Sequence, residues 1–312
     1  MTTTRLRGVF SPVLTPFNAD LTPSIERFTR HCRWLVGQDV GLSIFGTNSE
    51  ATSLTLAEKH RLLDALLEAG LPAARMMPGT GACALGDAIE LTRHAVEAGC
   101  GGVLMLPPFY YKGVSDEGLF RSFASVIDTV ADERLRIYLY HIPPVTQVPI
   151  SLGLIERLLK AYPGIIAGVK DSSGDWNNTE AMLKNFQPEG FDVFAGSETF
   201  LLANMRGGGA GCITATGNVN PAPMVALYNS WQQKETNNSA DEQQRALDAT
   251  RAVFQQFPLI PAMKAAIAWK TGDDAWRAVR PPLVELDAQQ ARTLEGGLER
   301  LGFDMPHVED LM

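Results

Sequence analysis

Lys170 closes an apolar run, Ile165-Ile166-Ala167-Gly168-Val169, and stands directly before Asp171-Ser172-Ser173-Gly174-Asp175. Such a run reads as a strand buried on both faces, and the polar cluster as the loop that leaves it. A lysine at that rim is partly withdrawn from water, which disfavours its charged form and draws its pKa down from about 10.4. The freed amine is a nucleophile toward a carbonyl. The position equally suits a plain ion pair with Asp171 or Asp175, and the lysine alone does not separate the two.

Five other segments place polar or small residues at the end of an apolar run: Gly46-Thr47-Asn48-Ser49-Glu50, Pro107-Pro108-Phe109-Tyr110-Tyr111-Lys112, Tyr140-His141-Ile142-Pro143-Pro144, Gly196-Ser197-Glu198 and Thr214-Ala215-Thr216-Gly217-Asn218. One amine, several tyrosine hydroxyls and small-residue loops suit Schiff-base chemistry on a 2-oxo acid, with a tyrosine moving protons. The loop 46–49 offers N–H groups and hydroxyls to a carboxylate. His141 alternates to the side of its strand opposite Tyr140 and reads as structural, while Tyr138 shares the face of Tyr140 as a core filler. Tyr110 reads as a packing or interface aromatic. Lys112 reads as a loop lysine facing water or an anionic substrate, and Lys264 and Lys270 as structural or solvent-facing residues of C-terminal helices.

These loops need a scaffold that gathers strand ends. Strand-like runs lie at 9–14, 40–45, 75–78, 102–106, 136–140, 165–170, 192–195 and 211–214. Amphipathic stretches alternate with them, such as Leu56, Leu62, Leu63, Leu66 and Leu67, or Leu152, Ile155, Leu158 and Leu159. Ser24, Thr55, Ser115 and Ser151 stand where helices start, and Gly70 and Gly99 where they stop. Eight β-then-α units predict an α/β fold, a closed (β/α)8 TIM barrel, with an open doubly wound sheet as the alternative. After Trp231 comes a polar stretch, 234–241, then helical segments near 242–257, 261–271 and 287–301. The expected division is a catalytic barrel over 1–232 and a C-terminal helical domain over 233–312.

The chain has 312 residues, a net charge of -8 and a pI near 5.2, with no basic stretch to engage nucleic acid. The four cysteines match no zinc spacing and suggest a reducing cytoplasm, where they serve as small buried hydrophobes. No cluster has metal spacing, and the glycine run at 207–211 fails the dinucleotide pattern, so neither metal nor cofactor is expected. The N-terminus lacks a signal-peptide core and no run is long enough for a membrane span, so a cytoplasmic location is expected.

Taken in order, Thr15-Pro16-Phe17, the GTNSE loop, PPFYYKGVSDEG at 107–118, YHIPP at 140–144, GVKDSSGD at 168–175, the 207–211 glycine run, PAMK at 261–264 and RPPL at 280–283 resemble the dihydrodipicolinate synthase and N-acetylneuraminate lyase family of class I, pyruvate-dependent aldolases. The resemblance implies that Lys170 is the Schiff-base lysine and Tyr140 the proton shuttle. It implies that Thr47 links Tyr140 to a second tyrosine, Tyr111, which reaches a neighbouring subunit's site. A homotetramer, a dimer of dimers, follows as the expected assembly. Thr47 and Asn48 would hold the pyruvate carboxylate, the Ile213 carbonyl would face the imine, and Gly196 and Val145 complete the binding set.

Two departures bear on substrate. Asn48 and Ser49 replace the family's second hydroxyl and glycine, and Val145 stands where dihydrodipicolinate synthases carry an arginine for the incoming semialdehyde's carboxylate. A valine cannot form that charge-assisted pair. The expected function is therefore a carbon–carbon or carbon–oxygen lyase, aldolase or dehydratase, acting on pyruvate or a 2-oxo sugar acid. The rivals are authentic 4-hydroxy-tetrahydrodipicolinate synthase, which Val145 disfavours, and a catalytically silent 2-oxo acid-binding protein.

Overall fold

The computed structural model describes residues 5–233 and 239–312; residues 1–4, and 234–238 within the polar stretch 234–241, lie outside the described residues. Two compact units are present, one of Pro72–Ile213 with the N-terminal segment up to Arg7, the other of Gly8–Leu71 with Thr214–Met312.

Among the described residues there are seven strands: β1 Gly8–Ser11, β2 Gly41–Leu42, β3 Val103–Met105, β4 Ile137–His141, β5 Ile166–Asp171, β6 Asp192–Ala195 and β7 Gly211–Ile213. In the first unit β3 to β7 pair in chain order, every pair parallel. In the second, β1 and β2 are parallel with Phe10 opposite Gly41. The third expected strand, 75–78, is replaced by a 3-10 turn at Ala73–Arg75 and one parallel bridge from Gly79 to Leu104. Pro78 has no N–H to give a ladder, so only its carbonyl and the Thr80 N–H bond to Leu104, at 2.8 and 3.0 Å.

Helix starts fall where the sequence places them. Ser24, Thr55, Ser115 and Ser151 each accept a backbone N–H from three residues on, and Thr55 forms a reciprocal box with Glu58. Each such cap contributes about 1 kcal/mol. Gly70 and Gly99 take φ of +75° just past their helices, where a Cβ would be strained. The C-terminal helices span Ser239–Phe254, Leu259–Thr271 and Ala288–Arg300.

Strand alternation splits the first unit's sheet into two faces. Ile137, Leu139, Val169 and Val193 enter a core shared with Phe123, Leu154, Leu158 and Met182. Tyr138, Tyr140, Gly168 and Lys170 alternate to the other face. The Tyr138 ring leaves no room for side chains at Gly102 or Gly168, where a Cβ would come within 2.7 and 2.9 Å of it. Its hydroxyl lies 3.4 Å from Asp192, which also pairs with Arg5 at 2.8 Å and Arg7 at 3.4 Å. Burial raises the Asp192 carboxyl and the Tyr138 phenol despite those arginines. Cys32 and Cys212 are buried and their thiols are pushed up by desolvation, whereas Cys83 is exposed, contrary to the expectation of four buried hydrophobes.

In the second unit Arg280 grips Glu58 through two nitrogens and also donates to the carbonyls of Leu21 and Ser53. The hydrogen bond from Arg280 holds the Glu58 carboxyl down at about 2. A carboxyl held low stabilises the fold above its ordinary value of about 4.5 and loses that contribution as pH falls toward 2. Urea unfolding of Glu58→Gln should show a loss of about 1–2 kcal/mol at pH 7 after solvent screening, and a shallower fall between pH 4.5 and 2. Equal acid slopes in variant and parent would remove this pair as a source of acid lability.

Candidate active site

The register of β4 against β5 sets Tyr140 opposite Lys170 and His141 opposite Asp171. Lys170 is 2% exposed, and its Nζ lies 3.2 Å from the Tyr140 hydroxyl and 4.2 Å from the centre of that ring. A buried amine and a phenol in hydrogen-bond contact can exchange a proton through a shared substrate atom.

The adjacent carboxylates are committed elsewhere. Asp171 accepts from the Thr179 hydroxyl at 2.6 Å, the Asn178 amide at 3.0 Å and the Ser173 N–H at 2.9 Å. Asp175 caps the helix Trp176–Phe186 through the Asn177 N–H. Strand alternation turns Asp171 away from the face that carries Lys170, and the contact made by the amine is with the Tyr140 phenol.

His141 supports the same strand ends from behind. Its Nδ1 accepts the Ile150 N–H at 3.0 Å, so the neutral ring carries its proton on Nε2, 4.0 Å from Asp171. Burial lowers its pKa and Asp171 offsets part of that shift. The structural reading of His141 holds, and its partner Ile150 closes the loop that carries Val145.

Val145 lies in the short helix Pro143–Thr146 and is 60% exposed. Tyr110 and Tyr111 pack edge to face with ring centres 5.3 Å apart, and Tyr111 is 73% exposed. Lys112 ties the tyrosine loop to the Val145 loop. Its ammonium donates to the Thr146 carbonyl at 2.7 Å and to the Phe109 carbonyl. Ile213 ends β7 and is buried.

Gly196 follows β6 and donates its N–H to the Asp171 carbonyl at 2.7 Å. A Cβ there would collide with Ser172 Oγ and sit 2.6 Å from the Asp171 oxygen. The glycine therefore lets β6 close on the backbone that follows Lys170. A cavity of about 840 Å³ opens at the other, N-terminal ends of the strands, beside Arg5, Ile166, Ala167 and Phe191. In such folds that end reads as stability rather than chemistry.

In the second unit Thr47 and Asn48 are half-buried within a 3-10 turn, Thr47–Ser49. The Thr15 hydroxyl donates to the Ser49 carbonyl at 2.7 Å, and Ser49 Oγ accepts the Gly46 N–H at 3.1 Å. The sequence reading overlooks the next residue. Glu50 is buried and receives Lys264 Nζ at 2.5 Å, while Lys264 is the one charge in an otherwise apolar stretch, 259–269. A lone charge in such a stretch signals a buried, paired cation. Among the described residues no group of three or more His, Cys, Asp or Glu side chains is placed to hold a metal, and no helix is long and apolar enough to cross a membrane.

Gly196→Ala should lower turnover about 10–100-fold by pushing on the Asp171–Ser172 backbone, which directly follows the buried Lys170. Steady-state kinetics with wild-type turnover would show that the closure of β6 on this backbone is dispensable.

The chain matches the family model described as the dihydrodipicolinate synthetase family over residues 5–301. It is 33% identical over 297 residues to an uncharacterised DapA-like lyase of Chloroflexus aurantiacus, covering 95% of this chain and 97% of that one. The crystal structure of dihydrodipicolinate synthase from Agrobacterium tumefaciens superposes with a TM-score of 0.85 at 31% identity, over 94% of this chain and 99% of the other. YagE, a prophage protein of this family from Escherichia coli K12 solved in complex with pyruvate, gives a TM-score of 0.86 at 26% identity over 96% and 99%. The fold class expected from the sequence is thus the one this chain shares with these proteins.

Proposed function

The chain belongs to the dihydrodipicolinate synthetase family and is a lyase, and we propose that it acts through a Schiff base between Lys170 and C2 of pyruvate or a related 2-oxo sugar acid. The observation that carries this reading is the dry contact of Lys170 Nζ with the Tyr140 hydroxyl at 3.2 Å. The pyruvate bound in the related YagE supports the choice of substrate class.

The amine attacks the C2 carbonyl to give a carbinolamine, and the Tyr140 hydroxyl gives the departing oxygen its proton, so that water leaves and the imine forms. Loss of a proton from C3 gives the enamine, which adds to an aldehyde carbonyl. Cleavage runs the same steps in reverse. Elimination of water from a 2-oxo-3-deoxy sugar acid is the carbon–oxygen version of the same imine chemistry. On the motif they stand in, Thr47 relays protons between Tyr140 and Tyr111, and Thr47 and Asn48 hold the carboxylate. The Ile213 carbonyl faces the imine, and Gly196 and Val145 contact the rest of the substrate. Tyr111 serves a neighbouring subunit, its exposed ring being available for that role, and the assembly is a homotetramer. The barrel takes residues 1–232 and the appended helices 233–312. Four free cysteines fit a cytoplasmic setting.

Authentic dihydrodipicolinate synthesis is the second reading, favoured by the Agrobacterium relative and opposed by Val145. Borohydride reduction in the presence of pyruvate should add mass to the peptide that carries Lys170, and Lys170→Ala should abolish both adduct and turnover. Tyr140→Phe should slow turnover about 10²–10⁴-fold. An unmodified Lys170, or an active alanine variant, would sink the proposal.

The substrate half is tested by assaying aspartate semialdehyde against sugar-derived 2-oxo acids. Val145→Arg should raise kcat/KM for the semialdehyde about tenfold or more by supplying a charge-assisted pair. Efficient use of the semialdehyde by the parent enzyme would return the second reading.

A further inference from the structure

Glu50 ends the GTNSE loop in the left-handed region, φ 54° and ψ 33°, where residues bearing a Cβ are uncommon. Such a conformation persists when its surroundings over-determine it. Glu50 Oε1 accepts from Lys264 Nζ at 2.5 Å and Oε2 from the Arg280 N–H at 2.8 Å. The side chains of Glu50 and Lys264 are 1% and 0% exposed. Lys264 also donates to the Ala278 carbonyl at 2.7 Å and lies 4.4 Å from the centre of the Phe17 ring. The turn Thr47–Ser49 is thereby held between Thr15 at its Ser49 carbonyl and the Lys264–Arg280 anchor at Glu50.

We propose that Glu50 and Lys264 are a positioning pair for substrate: together they fix the shape of the Thr47–Ser49 turn and keep a bare carboxylate from standing two residues from Asn48. The inference rests on the reading of Thr47 and Asn48 as holders of the 2-oxo acid carboxylate. Were Lys264 uncharged or absent, the buried Glu50 carboxylate would repel that anion with little help from solvent or salt, because buried charges are weakly screened. Were the Glu50 side chain absent, the left-handed residue would lose its reason to stay put and the turn would relax. The pair thus ties the C-terminal segments carrying Lys264 and Arg280 to binding at the front of the chain.

The test compares KM for pyruvate with kcat in purified full-length variants, each measured well below its own melting temperature. Lys264→Met, which takes the ammonium partner from Glu50, should raise KM about tenfold or more while kcat changes less than about threefold. Because a lone buried charge can prevent folding, two neutral double variants carry the decision. E50Q/K264M keeps an acceptor for the Arg280 N–H and should return KM to within about threefold of the parent. E50A/K264M has no such acceptor and should keep KM about tenfold high. If both doubles bind pyruvate like the parent and differ only in melting temperature, the pair is purely structural and the proposal fails. Asn48→Ala checks the underlying reading: a KM unchanged in that variant overturns the carboxylate assignment itself, a result distinct from parent-like double variants.

Discussion

An amine can be kept dry only where every other demand on it is met, and the β4–β5 register meets those demands at Lys170. The register sets the lysine against Tyr140 on a parallel neighbour, so a long flexible side chain ends at one hydroxyl, 3.2 Å away, under a ring 4.2 Å from its nitrogen. Two residues earlier on the same face, Gly168 and Gly102 make room for the Tyr138 ring, and Tyr138 in turn approaches Asp192 with its two arginines. The column from Asp192 up to Lys170 is therefore packed, with polar groups paired at its lower end and the buried amine at its upper end. A methyl group at Gly168 would disturb both.

Period-two alternation divides labour along these strands. On the proposed reading the residues on the Lys170 face supply chemistry, and their immediate neighbours supply support. His141 fastens Ile150 and approaches Asp171, and Asp171 fastens the start of the helix Trp176–Phe186 through Thr179 and Asn178. Each catalytic candidate is thus flanked by a buried polar residue whose hydrogen bonds go to the loop or helix that follows. Leaving such a group unpaired would cost about 1–3 kcal/mol, which binds the loops to the strand ends.

The sequence makes the strand ends and helix starts legible because both obey local rules: apolar runs, and a hydroxyl one residue before a helix. Ser24, Thr55, Ser115 and Ser151 all cap as expected, and six of the eight strand runs contain a paired strand of at least three residues. The run at 40–45 shrinks to Gly41–Leu42, and 75–78 fails because Pro78 cannot donate. Lys170 stands out in the sequence because an amine ends an apolar run, and Tyr140 is singled out among the tyrosines by the family resemblance. The Glu50–Lys264 pair is not legible there, since it joins residues 214 positions apart. Their trace is the isolated lysine in an apolar helix, a sign that a partner exists but not which one. Gly196 is named as a binding residue from its motif, yet its closest neighbours are Ser172 and Asp171, a steric role no spacing rule conveys.

On the proposed reading, Val145 separates substrate choice from chemistry. The backbone around it is fixed without using its side chain: the Val145 N–H bonds to Ile142 at 3.1 Å, the Thr146 hydroxyl bonds to the Ile142 and Val148 carbonyls, Ile150 is held by His141, and Lys112 grips the Thr146 carbonyl. A side chain 60% exposed on a backbone held at four neighbours can change from arginine to valine at little cost to the fold. The amine and phenol stay where β4 and β5 put them. On the proposed reading, the aldehyde partner is therefore free to differ among relatives that keep the same lysine, and the exposed valine turns this chain's site toward a partner that brings no carboxylate to that point.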